Sequence, residues 1–377
     1  MHVGAPNIGN RERLLQRVNE VLDRRWLSND GPMVRELETS LAQYLGVEHA
    51  IALCNGTLSL EIAIRALGLT GEVLAPSFTF VATAHAMKWQ EMKPVFCDID
   101  PLSHNLDPAK IENMITPRTS AIIGVHVWGE PCAIEPLTEI AKRRKLALLF
   151  DASHAFGCSH DGRMIGAFGN AEIFSFHATK YFNTFEGGAV TTNDGELAAK
   201  IRLMRNFGFA GYDKVVSIGT NGKMNEISAA MGLTALESLD EFVGVNFAHY
   251  QRYRSLLEGI PGLRLYPFND AERRNYQYVV IEVSETVAGI SRDLLLELLQ
   301  AEKLLARRYF YPGCHRMEPY RSDPFYAAVD LPETEGLCQR VMVLPTGTAV
   351  DEQIVDRICE LLRFVIEHAA GIKARLS

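Results

Sequence analysis

The stretch FSFHATKYFNTFEGG, residues 174–188, holds one lysine, Lys180, after an apolar run and with no acidic residue before Glu186. A primary amine in that setting is either a solvated charge in a loop or a buried nucleophile able to form an imine with a carbonyl. Other residues have types that suit the second reading. Asp151 closes the apolar run LALLFD. A carboxylate at a buried strand end is costly unless a cation or hydrogen-bond donors meet it; capping the next helix is the plainer alternative. Asn55-Gly56-Thr57 lies between a strand-like and a helix-like run. There glycine lets backbone approach a ligand, and Thr57 with the first helical N–H groups can hold an anion such as phosphate; an ordinary turn fits the same three residues. Ser175 stands at the end of EIFSF, and Phe80, in PSFTFVAT, stands at a strand–helix junction. An aromatic there either packs in the core or offers a flat face to a ligand.

Taken together these residues supply what one cofactor requires. Pyridoxal phosphate needs a lysine for its Schiff base, an acid to keep its pyridine nitrogen protonated, an anion cradle and a flat aromatic partner. Lys180, released when a substrate displaces it, is placed to act as a general base.

The elements that must position them are legible as an alternation of helical periodicity with short apolar runs, which marks an α/β fold with a mostly parallel sheet. RERLLQRVNEVLDRRW and MVRELETSLAQYLG read as amphipathic helices, the second closing on Gly46. AIALC, EVLAP, KPVFCDID, SAIIGVHVWG, LALLFDASH, EIFSF and GGAVTTND read as strands, with helices TLSLEIAIRALGL, TFVATAHAMKWQ and PLTEIAKRRK among them. Beyond residue 195 the pattern turns to longer helices, ELAAKIRLMRNFG and then one continuous run from Asn225 to Ile260. YQYVVIEV, SRDLLLELLQAEK and EQIVDRICELLRFVIEH give a strand and two helices of a second unit. The expected division is a large α/β domain over residues 1–245 and a smaller α+β domain over 246–377.

Bulk properties exclude several classes. At 377 residues the chain suits roughly two domains of about 150 residues. A net charge of -8, with no basic run longer than KRRK, argues against nucleic-acid binding. No apolar block suits a signal peptide or a membrane span. Seven scattered cysteines without CxxC suit reduced thiols in a cytoplasm and argue against zinc. The eleven histidines never fall at HExxH or HxH spacing, so no metal is expected.

The ordered motifs NGTLSLEIAIRAL, PSFTFVATAHA, PVFCDID, VHVWGEP, DASHAFG, SFHATK, EGGAVTTND and GTNGKMNEISAAMG resemble the DegT/DnrJ/EryC1/StrS sugar aminotransferases. The likeness runs from WLSNDGP at 26–32 to YPGCHRMEPY at 311–320. It implies the type I fold of pyridoxal-phosphate enzymes, a large domain with a mostly parallel seven-stranded sheet between helices and a smaller α+β domain. A homodimer with shared active sites is implied too. By position, Lys180 is similar to the Schiff-base lysine, Asp151 to the pyridine partner and Phe80 to the stacking aromatic. His154 matches a residue near the ring hydroxyl. Gly56, Thr57 and Ser175 match the phosphate cradle, and Asn221 an asparagine reaching the phosphate from the other subunit. Phe207 departs from the histidine common in relatives, and Lys223 from arginine.

The implied reaction takes an amino group from L-glutamate and gives it to a nucleotide-linked keto sugar, in ping-pong order. SFHATKYFNTFEGG is closer to the enzymes that act at carbon four than to those at carbon three. The expected substrate is dTDP-4-keto-6-deoxyglucose, with UDP- or GDP-linked sugars open, and His315 and Arg316 are candidate phosphate or sugar contacts. Other readings weighed are a glycosyltransferase using Asp98-Ile99-Asp100, a nicotinamide dehydrogenase, which lacks GxGxxG after the first strand, and a regulator that binds cofactor or sugar without turnover.

Overall fold

The computed structural model describes residues 3–376. Its strands are β1 His49–Leu53, β2 Glu72–Pro76, β3 Lys93–Cys97, β4 Thr119–Val125, β5 Ala147–Asp151, β6 Ser159–His160, β7 Arg163–Met164, β8 Ala171–Ser175, β9 Gly188–Thr192, β10 Leu263–Leu265, β11 Val279–Val283 and β12 Val341–Leu344. Seven of them form one sheet in the order β1-β9-β8-β5-β4-β2-β3. The five from β3 to β8 run parallel, whereas β9 is antiparallel to both of its neighbours. The sheet is thus the expected mostly parallel, seven-stranded one.

These strands read as continuous apolar runs because both faces are covered. Alternate residues go to opposite sides: in β5, Leu148 and Phe150 join one core and Leu149 the other. Helices Pro32–Leu45 and Ile134–Arg144 pack on the first face, and Gly56–Ala66 on the second. Helix Pro32–Leu45 stops where expected, on Gly46, whose φ of +66° lies in the left-handed region that glycine enters without strain.

The antiparallel sheet β10-β11-β12 builds a second core with helices Arg292–Ala301 and Glu352–Glu367. Helix Leu239–Leu257 serves both, placing Phe242 in the large core and Tyr253 and Leu257 in the small one. The division expected near residue 245 therefore falls inside a helix. The single long helix expected from Asn225 is two, Glu226–Glu237 and Leu239–Leu257, because Ser238 (φ -110°, ψ 7°) breaks the helical backbone between them. Nor does SAIIGVHVWG stay in the sheet. The chain leaves it after Val125, and Trp128 takes a left-handed conformation (φ 65°, ψ -2°), uncommon for a bulky residue and frequent where function fixes the backbone.

An aromatic-rich cluster joins the two parts, with Phe78, Trp128, Tyr278 and Phe310 among its members. Beside it, Asp98 caps helix Pro332–Arg340: one oxygen accepts the Thr334 N–H and hydroxyl, both at 2.8 Å, and the other the Glu333 N–H at 3.2 Å. Asp100 accepts the Ser103 N–H at 2.7 Å within its own turn. Both carboxylates of the DxD pair thus have structural partners.

Candidate active site

The carboxyl ends of β2, β4, β5 and β8 open on one crevice, the usual ligand position in open α/β sheets. Asp151 is the last residue of β5 and is nearly buried. Two donors hold it: the Thr83 hydroxyl at 2.7 Å on one oxygen and the Ser153 N–H at 3.1 Å on the other. Thr83 lies in the first turn of helix Val81–Trp89, which follows β2, so this bond spans the crevice across β4. The helix-cap alternative for Asp151 does not hold, since no helix follows β5 directly.

Lys180 stands on a tight turn past β8, its N–H donating to the His177 carbonyl at 2.8 Å. The loop beyond it is pinned by Asn7, whose amide donates to the Tyr181 carbonyl at 3.0 Å while Asn183 donates to the Asn7 carbonyl at 2.8 Å. The side chain points inward, and its ammonium donates to the Tyr278 hydroxyl at 3.3 Å. Burial pushes the amine down from 10.5 to about 8, opposed by the charge of Asp151. The same burial, with the charge of Lys180, holds His154 well below the usual histidine range. Tyr278 is pushed up by burial, with Tyr309 and Asp151 adding to it. Lys180 thus feels Asp151 and is felt by His154, while the Tyr278 ring, 4.8 Å from that of His154, joins the group.

His154 is buried and neutral. The Trp128 N–H donates to its Nδ1 at 3.4 Å, which leaves the proton on Nε2. Its ring lies nearly parallel to Phe310 and Trp128, at centroid distances of 5.6 and 6.3 Å. The Trp128 indole in turn donates to His104 Nδ1 at 3.1 Å, and His104 faces Glu282 of β11 at 3.4 Å. Phe80 is 57% exposed, so it is not core. It walls a cleft with Tyr309 and Arg307.

The geometry around the expected anion cradle accounts for the Gly-Gly pair. Asn55 caps helix Gly56–Ala66 by accepting the Leu58 N–H at 2.8 Å, leaving the N–H groups of Gly56 and Thr57 without partners inside the helix. Ser175 packs beneath Gly56, where an added Cβ would come within 2.9 Å of the serine Cβ. A Cβ on Gly188 would sit 2.7 Å from backbone atoms of Asn55 and Gly56, and one on Gly187 would overlap the Thr184 hydroxyl. The glycines thus let β9 lie against the cradle. Gly188→Ala is expected to cost about 1–3 kcal/mol of stability and to weaken phosphate-ester binding roughly tenfold, read by denaturant midpoint and by titration with the ligand.

Asn221 is exposed on a segment bonded to the end of β1, where Cys54 N–H donates to the Gly222 carbonyl at 2.9 Å. Lys223 donates to Asn221 Oδ1 at 2.7 Å and lies 4.7 Å over the Phe207 ring, so the two residues singled out from sequence as unusual touch. His315 does not present its ring to a ligand. It is fully buried, with Nδ1 at 2.6 Å from Ser77 Oγ and Nε2 at 3.0 Å from Glu335. Arg316 shares that carboxylate through Nε at 3.0 Å. The pair braces the turn after β2 against helix Pro332–Arg340; the buried His315 ring does not offer the ligand contact expected from sequence, whereas the Arg316 side chain stays partly exposed.

Thr83, Tyr278 and Trp128 were not singled out by sequence. Thr83 follows Phe80 by three residues, one helical turn, and Tyr278 precedes the strand VVIEV; those spacings were the available signals.

The architecture and crevice define the type I fold of pyridoxal-phosphate enzymes. Over residues 9–363 the chain belongs to the DegT/DnrJ/EryC1/StrS aminotransferase family. It is 36% identical over 363 residues to the dTDP-4-amino-4,6-dideoxy-D-glucose transaminase of Escherichia coli, covering 96% of this chain and 97% of that one. To the GDP-perosamine synthase of Caulobacter vibrioides it is 35% identical, covering 97% and 98%. Among solved structures, DesI in the presence of its TDP-sugar product superposes with a TM-score of 0.95 at 48% identity, covering 100% of this chain and 95% of that one. The chain is an aminotransferase.

Proposed function

We propose that this enzyme uses pyridoxal phosphate to move the amino group of L-glutamate to carbon four of dTDP-4-keto-6-deoxy-D-glucose, giving dTDP-4-amino-4,6-dideoxy-D-glucose. One observation carries the cofactor assignment: a lysine amine lowered to about 8 by burial, coupled to a carboxylate held on both oxygens at the end of β5. The donor set fits. Gly56 and Thr57 N–H groups with Ser175 would hold the phosphate, Asp151 the ring nitrogen and His154 the ring hydroxyl, while Phe80 would cover the ring face. When bound, pyridoxal phosphate supplies an electron sink that lowers the barrier to removing a proton from the carbon bearing nitrogen.

The chain's own groups do the rest. Lys180 Nζ holds the cofactor at rest and, once displaced, takes and returns the proton on the reacting carbon. The Tyr278 hydroxyl keeps that amine aimed inward. The match in name and length to the Escherichia coli relative supports the dTDP-linked substrate and carbon four. We assign a cytoplasmic homodimer, in which Asn221 reaches the partner's phosphate site; its exposure beside the end of β1 supports that role. The large domain is taken as residues 1–245 and the small one as 246–377.

The lowered lysine sets a pH dependence. A folded value of about 8 means the neutral, nucleophilic amine becomes the major form above pH 8 rather than above 10.5. The rate at which cofactor-free enzyme attaches pyridoxal phosphate should rise through a midpoint near 8, followed by the yellow absorption that develops. A midpoint above 10 would remove the buried-amine reading. For the substrate, incubation with L-glutamate and a panel of nucleotide-linked keto sugars, read by mass spectrometry, should give the carbon-four amine from the dTDP sugar. A product aminated at carbon three would overturn the carbon assigned, and no transfer to any sugar would overturn the function.

A further inference from the structure

Resting on the function above, one crevice must admit two unlike anions in turn: a small dicarboxylate that gives nitrogen and a nucleoside-diphosphate sugar that receives it. We propose that Arg307 is the shared anion receptor. In this reading it pairs with a carboxylate of the amino donor in one half-reaction and with the diphosphate of the sugar in the other.

The cleft beside Phe80 has a volume of about 480 Å³ and runs between the start of helix Val81–Trp89, helix Arg292–Ala301 and the segment 306–311. That size suits a bound small molecule. Two arginines reach it. Arg308 is committed: it donates to Asp293 at 2.9 Å and lies 4.3 Å over the Tyr311 ring, and Arg292 donates to the same carboxylate at 2.8 Å. Arg307 has no carboxylate partner among the described residues. Its guanidinium rests over the Tyr309 ring at 5.3 Å, which holds it by a cation–π contact while leaving its donors free. Its backbone is fixed, accepting from the Val343 N–H at 2.7 Å and donating to the Val343 carbonyl at 3.2 Å. A rigid mount with an unspent fork of donors is the geometry for bidentate recognition of carboxylate or phosphate.

Two side-chain contacts link the cleft to the reacting amine. Tyr309 lies 6.4 Å from Tyr278 between ring centroids, and the Tyr278 hydroxyl is 3.3 Å from the Lys180 amine. Two acids also line the cleft. Asp293 is neutralised by its two arginines, and the exposed Glu297 lies on the same helix. Glu297 makes no ion pair with Arg307 among the described residues, which leaves Arg307 as the lining arginine not committed to a carboxylate, able to release one anion and accept another.

The test uses cofactor-loaded wild type, Arg307→Ala and Arg307→Lys. Loss of the yellow absorption with L-glutamate alone reads the first half-reaction, and calorimetric titration with dTDP reads diphosphate binding without turnover. Arg307→Ala should raise the half-saturating glutamate concentration and the dTDP dissociation constant each by roughly 10- to 100-fold, the value of a charge-assisted hydrogen-bonded pair. Its cofactor spectrum should be unchanged, and Arg307→Lys should recover part of both losses. A change in only one of the two constants, or in neither, overturns the shared role. Wild type that binds dTDP but loses no absorption with glutamate overturns the donor assignment and the shared role together; the Arg307 variants alone leave the donor assignment intact.

Discussion

Lys180→Ala is expected to lower amino transfer by roughly four orders of magnitude or more, because it removes both the nucleophile that holds the cofactor and the base that moves the proton. The loss should come without unfolding. Burying a charged amine costs the native state, as the depression to about 8 records, so deleting it relieves a penalty. The melting temperature of the cofactor-free variant should stay level with wild type or rise. Borohydride should trap the cofactor covalently on wild type at Lys180 and leave the variant unlabelled. Near wild-type transfer by Lys180→Ala would exclude Lys180 as both nucleophile and base.

Asp151→Asn should slow transfer by roughly 100- to 1,000-fold, the usual scale for losing one preorganised electrostatic group, while Lys180 still takes up cofactor. The amide is nearly the same shape, and it can still accept the Ser153 N–H and meet the Thr83 hydroxyl, so folding should be spared. A second readout separates electrostatics from packing. The charge of Asp151 raises the Lys180 amine, so removing it should move the midpoint of cofactor attachment below about 8. A slower enzyme with an unmoved midpoint would overturn the charge coupling between Asp151 and Lys180.

Much of this crevice was written in local chemistry. Lys180, Asp151 and the Asn55-Gly56-Thr57 turn were visible because each pairs an unusual residue type with a strand end, and strand ends follow from apolar runs. Their partners were not, because contacts between distant segments leave no periodicity. Nothing in PSFTFVAT says that Thr83 crosses β4 to meet Asp151, and nothing in YPGCHRMEPY says that His315 is consumed by Ser77 and Glu335. Helix Gly56–Ala66 was legible from its pattern, whereas the break at Ser238 was missed because serine tolerates either side of a helix boundary. The short strands β10 and β12 were missed for the same reason as the contacts: pairing with β11, across long stretches of chain, makes them strands.

The clamp at Asp98 has a mechanical consequence. Three donors from the small lobe, Thr334 N–H, Thr334 hydroxyl and Glu333 N–H, converge on a carboxylate that the large lobe keeps nearly dry. Swinging the lobes apart would break those three bonds, at about 1.5–3 kcal/mol each for a charged acceptor, and leave the carboxylate to Lys110, 3.2 Å away on the same lobe, and to water. The two lobes are therefore latched at one point, the amino end of helix Pro332–Arg340, and any relative movement between them must either pivot there or break that cap.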